Sequence, residues 1–136
     1  MPPKSIVNDR LTERIITCII RVHQTLGAGY LENIYRRALL LELRKQGLAT
    51  EVEKKVMIYY DGQPIGGHRL DLVVEGQVVV ELKAVDVMSK AHYTQVRSYL
   101  KAARLRLALL VNFAGERADF RRIESPHHPS VPPSPK

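Results

Sequence analysis

Residues 69–85 read RLDLVVEGQVVVELKAV, and this stretch predicts a β-hairpin. Apolar side chains alternate along it on both sides of a turn at residues 75–77, which is the period of two that strands have. A three-residue loop would pair Val74 with Val78. A two-residue loop would shift that pairing by one residue, so the register rests on the length of the loop.

The three-residue loop brings two carboxylates together. Asp71 then lies opposite Glu81 on one face of the hairpin, with Lys83 two residues further along that face. Facing Cβ atoms in an antiparallel pair are about 4.5–5.5 Å apart, so two carboxylates there repel each other. Mg²⁺ compensates for this, since it accepts one or two protein carboxylates together with waters and substrate phosphates. The ammonium of Lys83 would orient or deprotonate a water, or neutralise a phosphate.

The alternative interpretation of this hairpin is an amphipathic strand whose polar face is solvated. Glu-x-Lys alone is a weak signal, because many solvated strands contain it. The carboxylate of Asp71 in the same register is what makes a metal site a competing interpretation.

Composition limits the classes of protein to consider. A chain of 136 residues has room for one domain. Its 21 Lys and Arg against 14 Asp and Glu give a formal net charge of +7, which suits a polyanionic partner or ordinary surface solvation. The single cysteine, Cys18, lies in an apolar helical pattern and is expected in the core. With no secretory signal and no membrane-spanning apolar run, we expect a cytoplasmic protein.

Helical and strand periodicities predict the remaining elements. Helices are expected at 11–26, 31–46 and 88–103, and strands at 51–60, after the turn at 61–62, at 78–83, 106–112 and 118–123. This order predicts an α/β fold with a mixed β-sheet that contains an antiparallel hairpin and is flanked by helices. The helix after the hairpin is a crossover, which favours parallel pairing of the two strands it joins.

The ends of the chain differ from its middle. Residues 1–7 are expected to be a flexible arm, residues 8–124 a single domain, and the proline-rich residues 125–136 a disordered tail. His127 and His128 are interpreted as tail residues without a catalytic role. His23, in the first helix, is expected to be a surface or half-buried side chain rather than a metal ligand, because no second ligand stands at helical spacing.

Four motifs, in this order, resemble the GxxExxY family of the PD-(D/E)XK nuclease superfamily. They are GYLENIY at 29–35, Asp71, ELK at 81–83 and QVRSY at 95–99, the last similar to a QxxxY element. LVNF at 110–113 is similar to the late strand of the family, so the resemblance runs from about residue 9 to 124. One departure is Leu70, which stands where the name of the superfamily has proline.

The resemblance implies a restriction-endonuclease-like core and a metal-dependent nuclease that hydrolyses phosphodiester bonds. It implies Mg²⁺, with Mn²⁺ as a substitute, held by Asp71, Glu81 and Glu32. Lys83 would serve the attacking water. The alternative role for Glu32 is to compensate the partial positive charge at the N-terminus of the second helix, and this role needs no ligand.

Supporting residues and partners follow from the same resemblance. Gln95 and Tyr99 would support the site or the nucleic-acid backbone, and Tyr35 would support the site from the second helix. The expected partner is nucleic acid, with DNA preferred, and no membrane; a homodimer or a protein partner would supply specificity. The alternative is a non-catalytic nucleic-acid or protein binding module on the same fold, because a fold does not determine a function.

Overall fold

The structure, a computed structural model, describes residues 9–125. In chain order its elements are α1 Asp9–Leu26, α2 Glu32–Lys45, β1 Thr50–Tyr60, β2 Gln63–Val74, β3 Val78–Lys83, α3 Lys90–Ala103, β4 Leu107–Asn112 and β5 Asp119–Glu124. Every predicted element is present. The ends differ from the predicted ones by about two residues at most, as expected where helix and strand ends fray. The predicted mixed α/β fold is confirmed.

The five strands form one mixed sheet in the order β1-β2-β3-β4-β5. The β3–β4 pair is parallel and the other three pairs are antiparallel. The parallel pair is the one joined by α3, as the crossover predicted. Strands β3 and β4 are buried along nearly their whole length, which explains why their sequences are continuous apolar runs.

The register of the β2–β3 hairpin is the one that a three-residue loop requires. Val74 pairs with Val78, and the Gln77 amide donates to the Val74 carbonyl at 2.9 Å. Glu75 and Gly76 both have positive φ, which turns the chain within the loop. The shifted pairing of a two-residue loop is therefore excluded.

Helices cover both faces of the sheet. The apolar positions of α1 recur every three or four residues, so they form a stripe that packs with α2 and with Leu72 and Val80 on one face. Helix α3 packs on the opposite face, against Val73 and Val79. Cys18 is buried in the first of these two cores, as predicted.

Side chains of the β1–β2 hairpin pack on different faces of the sheet at different points along the hairpin. Val52 packs in the core on the α1 and α2 side, whereas Val56 packs on the α3 side, and Glu53 between them has a φ of 50°. Nearer the tip the register shifts between Ile58 and Tyr59, which is a local irregularity of the strand pairing. The hairpin thus twists across the sheet instead of extending it flat.

One sequence-based expectation is wrong. His23 is only 6% exposed rather than a surface or half-buried side chain. Its Nε2 lies 2.8 Å from the Gly115 carbonyl oxygen, and its ring stacks on Phe113 with centroids 6.1 Å apart. Both partners lie about 90 residues away in the chain, so helical spacing alone could not reveal them.

Predictions for the two ends of the chain concern residues that lie outside the described part. These are the arm at 1–7, the tail from 126 onward, and the tail histidines His127 and His128. The first tail residue, Ser125, is described, and its amide donates to the Arg106 carbonyl at 2.8 Å. Within residues 9–125, no helix combines the length and the apolar character that crossing a membrane requires.

Candidate active site

The hairpin ladder is replaced by side-chain contacts where Asp71 faces Glu81. The last backbone pair in that direction is Leu72 with Val80. Beyond it, the Asp71 amide donates to Glu81 Oε1 at 3.3 Å, and the Leu82 amide donates to Asp71 Oδ2 at 2.9 Å. Each carboxylate therefore accepts from the backbone of the other strand, which fixes both side chains between the strands.

Burial makes the charged forms of these carboxyl groups costly. Glu81 is 4% exposed, and desolvation, followed by the nearby charge of Asp71, raises the pKa of Glu81 to about 8. Desolvation also raises the pKa of Asp71, against the opposing effects of its hydrogen bond from Leu82 and of Arg36. Both carboxyl groups thus hold their protons more tightly than usual, which is a feature common at functional sites.

Two cations lie near the pair. Lys83, half-buried at the end of β3, lowers the pKa of both carboxyl groups by its charge. Arg36 of α2 reaches Asp71 directly, with Nη1 3.6 Å from Oδ1. Sequence reasoning missed Arg36, although it lies one helical turn after Glu32 and on the same face of α2.

The segment after Lys83 is fastened by the neighbouring strand. The Phe113 amide donates to the Lys83 carbonyl at 2.9 Å, and the Asn112 side chain both accepts from the Val85 amide at 3.1 Å and donates to the Val85 carbonyl at 2.8 Å. Asn112 is 8% exposed. The side-chain amide of Asn112 therefore fixes the backbone at Val85, just after the site. Its position in the 110–113 motif did not reveal this role.

Helix α2 carries Glu32 and Tyr35 on the side of Asp71. Glu32 is half-buried, and its charge raises the pKa of both Asp71 and Glu81, although no described contact joins it to either. Tyr35 is fully buried and contacts neither carboxylate; its hydroxyl donates to the Gly27 carbonyl at 2.6 Å. Glu32 is thus within electrostatic range of the pair, and Tyr35 holds the loop that precedes it.

Helix α3 approaches from the other face. Tyr99 is 6% exposed, and desolvation, followed by the charges of Glu81 and Asp71, raises the pKa of Tyr99 to about 12. Its ring packs on His68 of β2 at a centroid distance of 4.6 Å. Gln95 is exposed, and none of its described contacts reaches the carboxylates. The structure therefore places Tyr99 within electrostatic range of the pair, whereas no described contact joins Gln95 to it.

The donor set of the pair suits a hard divalent cation. One oxygen of each carboxylate is occupied by a backbone amide, which leaves Asp71 Oδ1, opposite Arg36, and Glu81 Oε2. Two carboxylates are what Mg²⁺ takes from a protein when waters and phosphates complete its shell. Within residues 9–125 no three or more His, Cys, Asp or Glu side chains are arranged to hold a metal ion together, so a third protein ligand is not preassembled.

Fold and site together resemble one class of protein, the nucleases with a restriction-endonuclease-like core. The sequence profile of the PD-(D/E)XK nuclease superfamily matches residues 9–123. The chain belongs to this superfamily. Its assignment to the GxxExxY family within it stays a prediction.

Solved structures with a similar fold include two different proteins. The crystal structure of SSO0001 has a TM-score of 0.56 at 22% identity, and the match covers 71% of this chain and 52% of SSO0001. This chain thus spans about half the length of that protein. The alkaline exonuclease LHK-Exo from Laribacter hongkongensis has a TM-score of 0.53 at 11% identity, covering 89% of this chain and 72% of that chain. Its complex with dAMP matches with a TM-score of 0.53 at 12% identity. No protein with a curated description matches the chain.

Proposed function

We propose that this protein is a divalent-metal-dependent nuclease that hydrolyses phosphodiester bonds in nucleic acid, with DNA as the preferred substrate. The observation that carries the proposal is the pair of the half-buried Asp71 and the buried Glu81, each held by a backbone amide of the opposite strand beside Lys83. Membership of a nuclease superfamily and the similarity of the fold to an alkaline exonuclease support it.

The proposed role of each site residue follows from its charge. Asp71 and Glu81 would hold the cation through their remaining oxygens, and Glu32 would complete or adjust the site from α2. A bound Mg²⁺ or Mn²⁺ supplies a Lewis acid for the phosphoryl oxygen and promotes ionisation of water near neutral pH. Lys83 would orient the attacking water and neutralise the negative charge that develops on the phosphoryl group.

The surroundings restrain these groups. Arg36 holds Asp71 from the α2 side. Asn112 fixes the chain just beyond Lys83, so the ammonium leaves the sheet from a defined point. Tyr99 lies on the α3 side of the pair, and Gln95, exposed on the same helix, would contact the nucleic-acid backbone.

The second candidate is a nucleic-acid or protein binding module on the same fold without catalysis. A binding module needs no desolvated carboxylate pair, because burial of ionisable carboxyl groups costs stability and acidic groups repel phosphate. The nuclease is therefore the function that the geometry supports better.

A circular substrate tests the proposal directly. The purified protein is incubated with circular and with linear single-stranded DNA, double-stranded DNA and RNA, in Mg²⁺, in Mn²⁺ and in EDTA, and products are separated on a gel. We expect cleavage with either metal and none in EDTA. Linear product from a circle identifies an endonuclease, whereas degradation of linear substrates only identifies an exonuclease.

The matched variants are Lys83→Ala and Lys45→Ala. Lys83→Ala should lower the cleavage rate by roughly 10²-fold or more, since it removes a charge beside the reacting phosphate. Lys45, an exposed lysine at the end of α2, pairs with Glu42 and with no other carboxylate among residues 9–125, so Lys45→Ala should cleave like the parent. Equal rates for the parent and for Lys83→Ala would assign the activity to a contaminant and refute the proposed site.

A further inference from the structure

Asp71 leaves one carboxylate oxygen without a backbone partner, and a cation of the protein faces that oxygen. Oδ2 accepts from the Leu82 amide at 2.9 Å, whereas Oδ1 lies 3.6 Å from Nη1 of Arg36. The oxygen that would bind a metal is therefore the one that Arg36 neutralises. Two cations at one carboxylate oxygen repel each other, so metal binding at Asp71 favours a shift of Arg36 away from it.

The contact between Arg36 and Asp71 is an ion pair without a hydrogen bond. The distance of 3.6 Å exceeds the length of an N–H···O hydrogen bond, which is about 2.7–3.2 Å. By comparison, Arg122 Nε approaches Glu124 Oε2 to 3.0 Å. Desolvation raises the pKa of Asp71 even with Arg36 beside it, so the ion pair offsets only part of the effect of burial. Arg36 is thus held loosely at this carboxylate.

Asp71 is also the one acidic partner of Arg36 in the described part of the chain. Among residues 9–125, no other carboxylate lies within ion-pair distance of the Arg36 guanidinium, and this group donates no hydrogen bond to a described acceptor. The side chain is 23% exposed, so the guanidinium is neither fixed by hydrogen bonds nor fully hydrated. Because a guanidinium keeps its charge, an Arg36 that leaves Asp71 requires another anion.

The position of Arg36 in α2 places its charge at the candidate active site. Arg36 follows Glu32 by one helical turn, and Glu32 is within electrostatic range of both carboxylates of the pair. Lys83 lies beside the same pair on β3. The planar fork of donors on a guanidinium matches two oxygens of a phosphate, whereas an ammonium acts as a point charge. Arg36 can therefore add a directional phosphate contact to the charge of Lys83.

We propose that Arg36 is an exchangeable counter-ion, which neutralises Asp71 in the metal-free protein and pairs with a phosphate of the substrate once a divalent cation takes its place. This rests on the proposed nuclease function and adds a substrate-binding residue to it. The exchange makes the phosphate contact of Arg36 dependent on metal. Glu32 is the competing acceptor, because it lies one turn away on the same face of α2, and a transfer of Arg36 to Glu32 would add no contact to the substrate.

Metal binding without substrate tests the first half of the exchange. Electron paramagnetic resonance of free Mn²⁺ gives the dissociation constant of Mn²⁺ for the full chain. Arg36→Gln should bind Mn²⁺ about tenfold more tightly than the parent, because it removes a charge that opposes a second cation at Asp71. Equal or weaker binding of Mn²⁺ by Arg36→Gln would overturn the counter-ion role.

The matched control is the next residue of the same helix. Arg37 is exposed, and no carboxylate among residues 9–125 lies within ion-pair distance of it. Arg37→Gln removes the same charge from α2 and should bind Mn²⁺ like the parent, since solvent screens an exposed charge. Circular dichroism checks that each variant folds. If Arg36→Gln is unfolded, Arg36→Met, which keeps the apolar stem of the side chain, is measured in its place.

Substrate binding with and without metal tests the second half. Lys83→Ala, which should slow cleavage, serves as the background, and the anisotropy of fluorescein-labelled single-stranded and duplex DNA is measured in EDTA and in Mg²⁺ over a range of salt concentrations. In Mg²⁺, adding Arg36→Gln should make the slope of log affinity against log salt shallower by one phosphate contact, which is about 0.7 on a single strand and about 0.9 on a duplex. In EDTA the slope should not change. Arg37→Gln should leave the difference between the two slopes as it is in the background.

The slopes decide between exchange and its alternatives. Equal changes in EDTA and in Mg²⁺ would mean that Arg36 contacts phosphate without exchange. No change in either condition would indicate a permanent ion pair with Asp71 or a transfer to Glu32. Each of these results would overturn the proposal.

Failure of the nuclease function is a separate outcome. A parent that binds Mn²⁺ but cleaves no nucleic acid would refute the nuclease, while the metal affinities and the salt slopes would still decide the exchange. Absence of Mn²⁺ binding in both the parent and Arg36→Gln would refute the exchange together with the metal site.

Discussion

Glu81 is the only acidic side chain that is buried among residues 9–125. A carboxylate loses hydration when it is buried, and here the charge with the largest effect on the pKa of Glu81 is a second carboxylate, Asp71. The one backbone hydrogen bond that Glu81 accepts, from the Asp71 amide, does not offset these two effects. Ionised Glu81 therefore destabilises the folded protein, and a bound cation would reduce this destabilisation.

This cost predicts how stability depends on pH. In the unfolded chain Glu81 ionises near its usual pKa of 4.5, whereas in the folded protein its pKa is about 8. Between these values the folded state binds more protons than the unfolded state, so the free energy of unfolding falls as pH rises. We expect the melting temperature in EDTA to fall between pH 5 and pH 8, by the equivalent of a few kcal/mol at most.

Glu81→Gln is the matched variant, since it keeps the shape and removes the titrating group. It should be more stable than the parent at pH 8 and much less dependent on pH, with a residual slope from Asp71, whose pKa is also raised. Melting curves at several pH values measure this. The same pH slope in both proteins would show that Glu81 does not carry the effect.

At the scale of elements, the loop before α2 is held from within the helix. The cap residue Leu31 offers no side-chain hydrogen bond, and Gly29 has a φ of 112°, which a side chain would strain. The Tyr35 hydroxyl compensates by donating to the Gly27 carbonyl and accepting from the Tyr30 amide at 3.2 Å. The GxxExxY spacing thus combines three parts: Gly29 in the loop, Glu32 in the first turn of α2, and Tyr35, whose hydroxyl holds the loop to the helix.

Removal of one hydroxyl tests this anchor. Tyr35→Phe keeps the ring, which stacks on Phe113 at 4.4 Å, and leaves two backbone groups without their partner. We expect a loss of about 1–3 kcal/mol in the free energy of unfolding, measured by denaturant titration. Tyr30→Phe, at a side chain that is 50% exposed, should change it by less than about 0.5 kcal/mol. Equal stability of the two variants would remove the anchoring role.

Across the whole molecule, positive charge on the surface contrasts with the acidic pair in the centre. The net charge of +7 attracts polyanions, whereas ionised Asp71, and Glu81 once it ionises above its pKa of about 8, would repel them in the absence of a cation. Metal binding should thus affect the stability of the entire fold, because a ligand that binds only the folded state shifts the global equilibrium.

The expected effect of metal is a rise in melting temperature. At a Mg²⁺ concentration of 100 times its dissociation constant, the parent should gain about 2.7 kcal/mol, which is roughly 8 °C for a domain of this size. Asp71→Asn should match or slightly exceed the parent in EDTA and gain little with metal, since it loses a charged ligand but keeps an oxygen for the Leu82 amide. If Asp71→Asn unfolds in EDTA and neither protein responds to Mg²⁺ or Mn²⁺, Asp71 is structural and the metal site is refuted.

The sequence by itself determined the features that depend on neighbours in the chain. Alternation located the hairpin and limited its register to two choices, and the structure selected the one that pairs Val74 with Val78 and brings Asp71 to Glu81. Helical periods located the stripe that contains Cys18, and the crossover predicted the parallel pair. These features are local because strand and helix geometry repeats over a few residues. The roles of the site residues, by contrast, stay predictions.

Only the tertiary structure decided which side chains meet across the sheet. Arg36 faces Asp71, Asn112 clamps Val85, and His23 is buried against Gly115 through contacts that span 27 to 92 residues, or join a helix to a strand. The pKa of Glu81 likewise depends on the tertiary structure. It is set by how much water the two layers of helices exclude, and burial arises from the packing of distant elements rather than from any pattern along the chain.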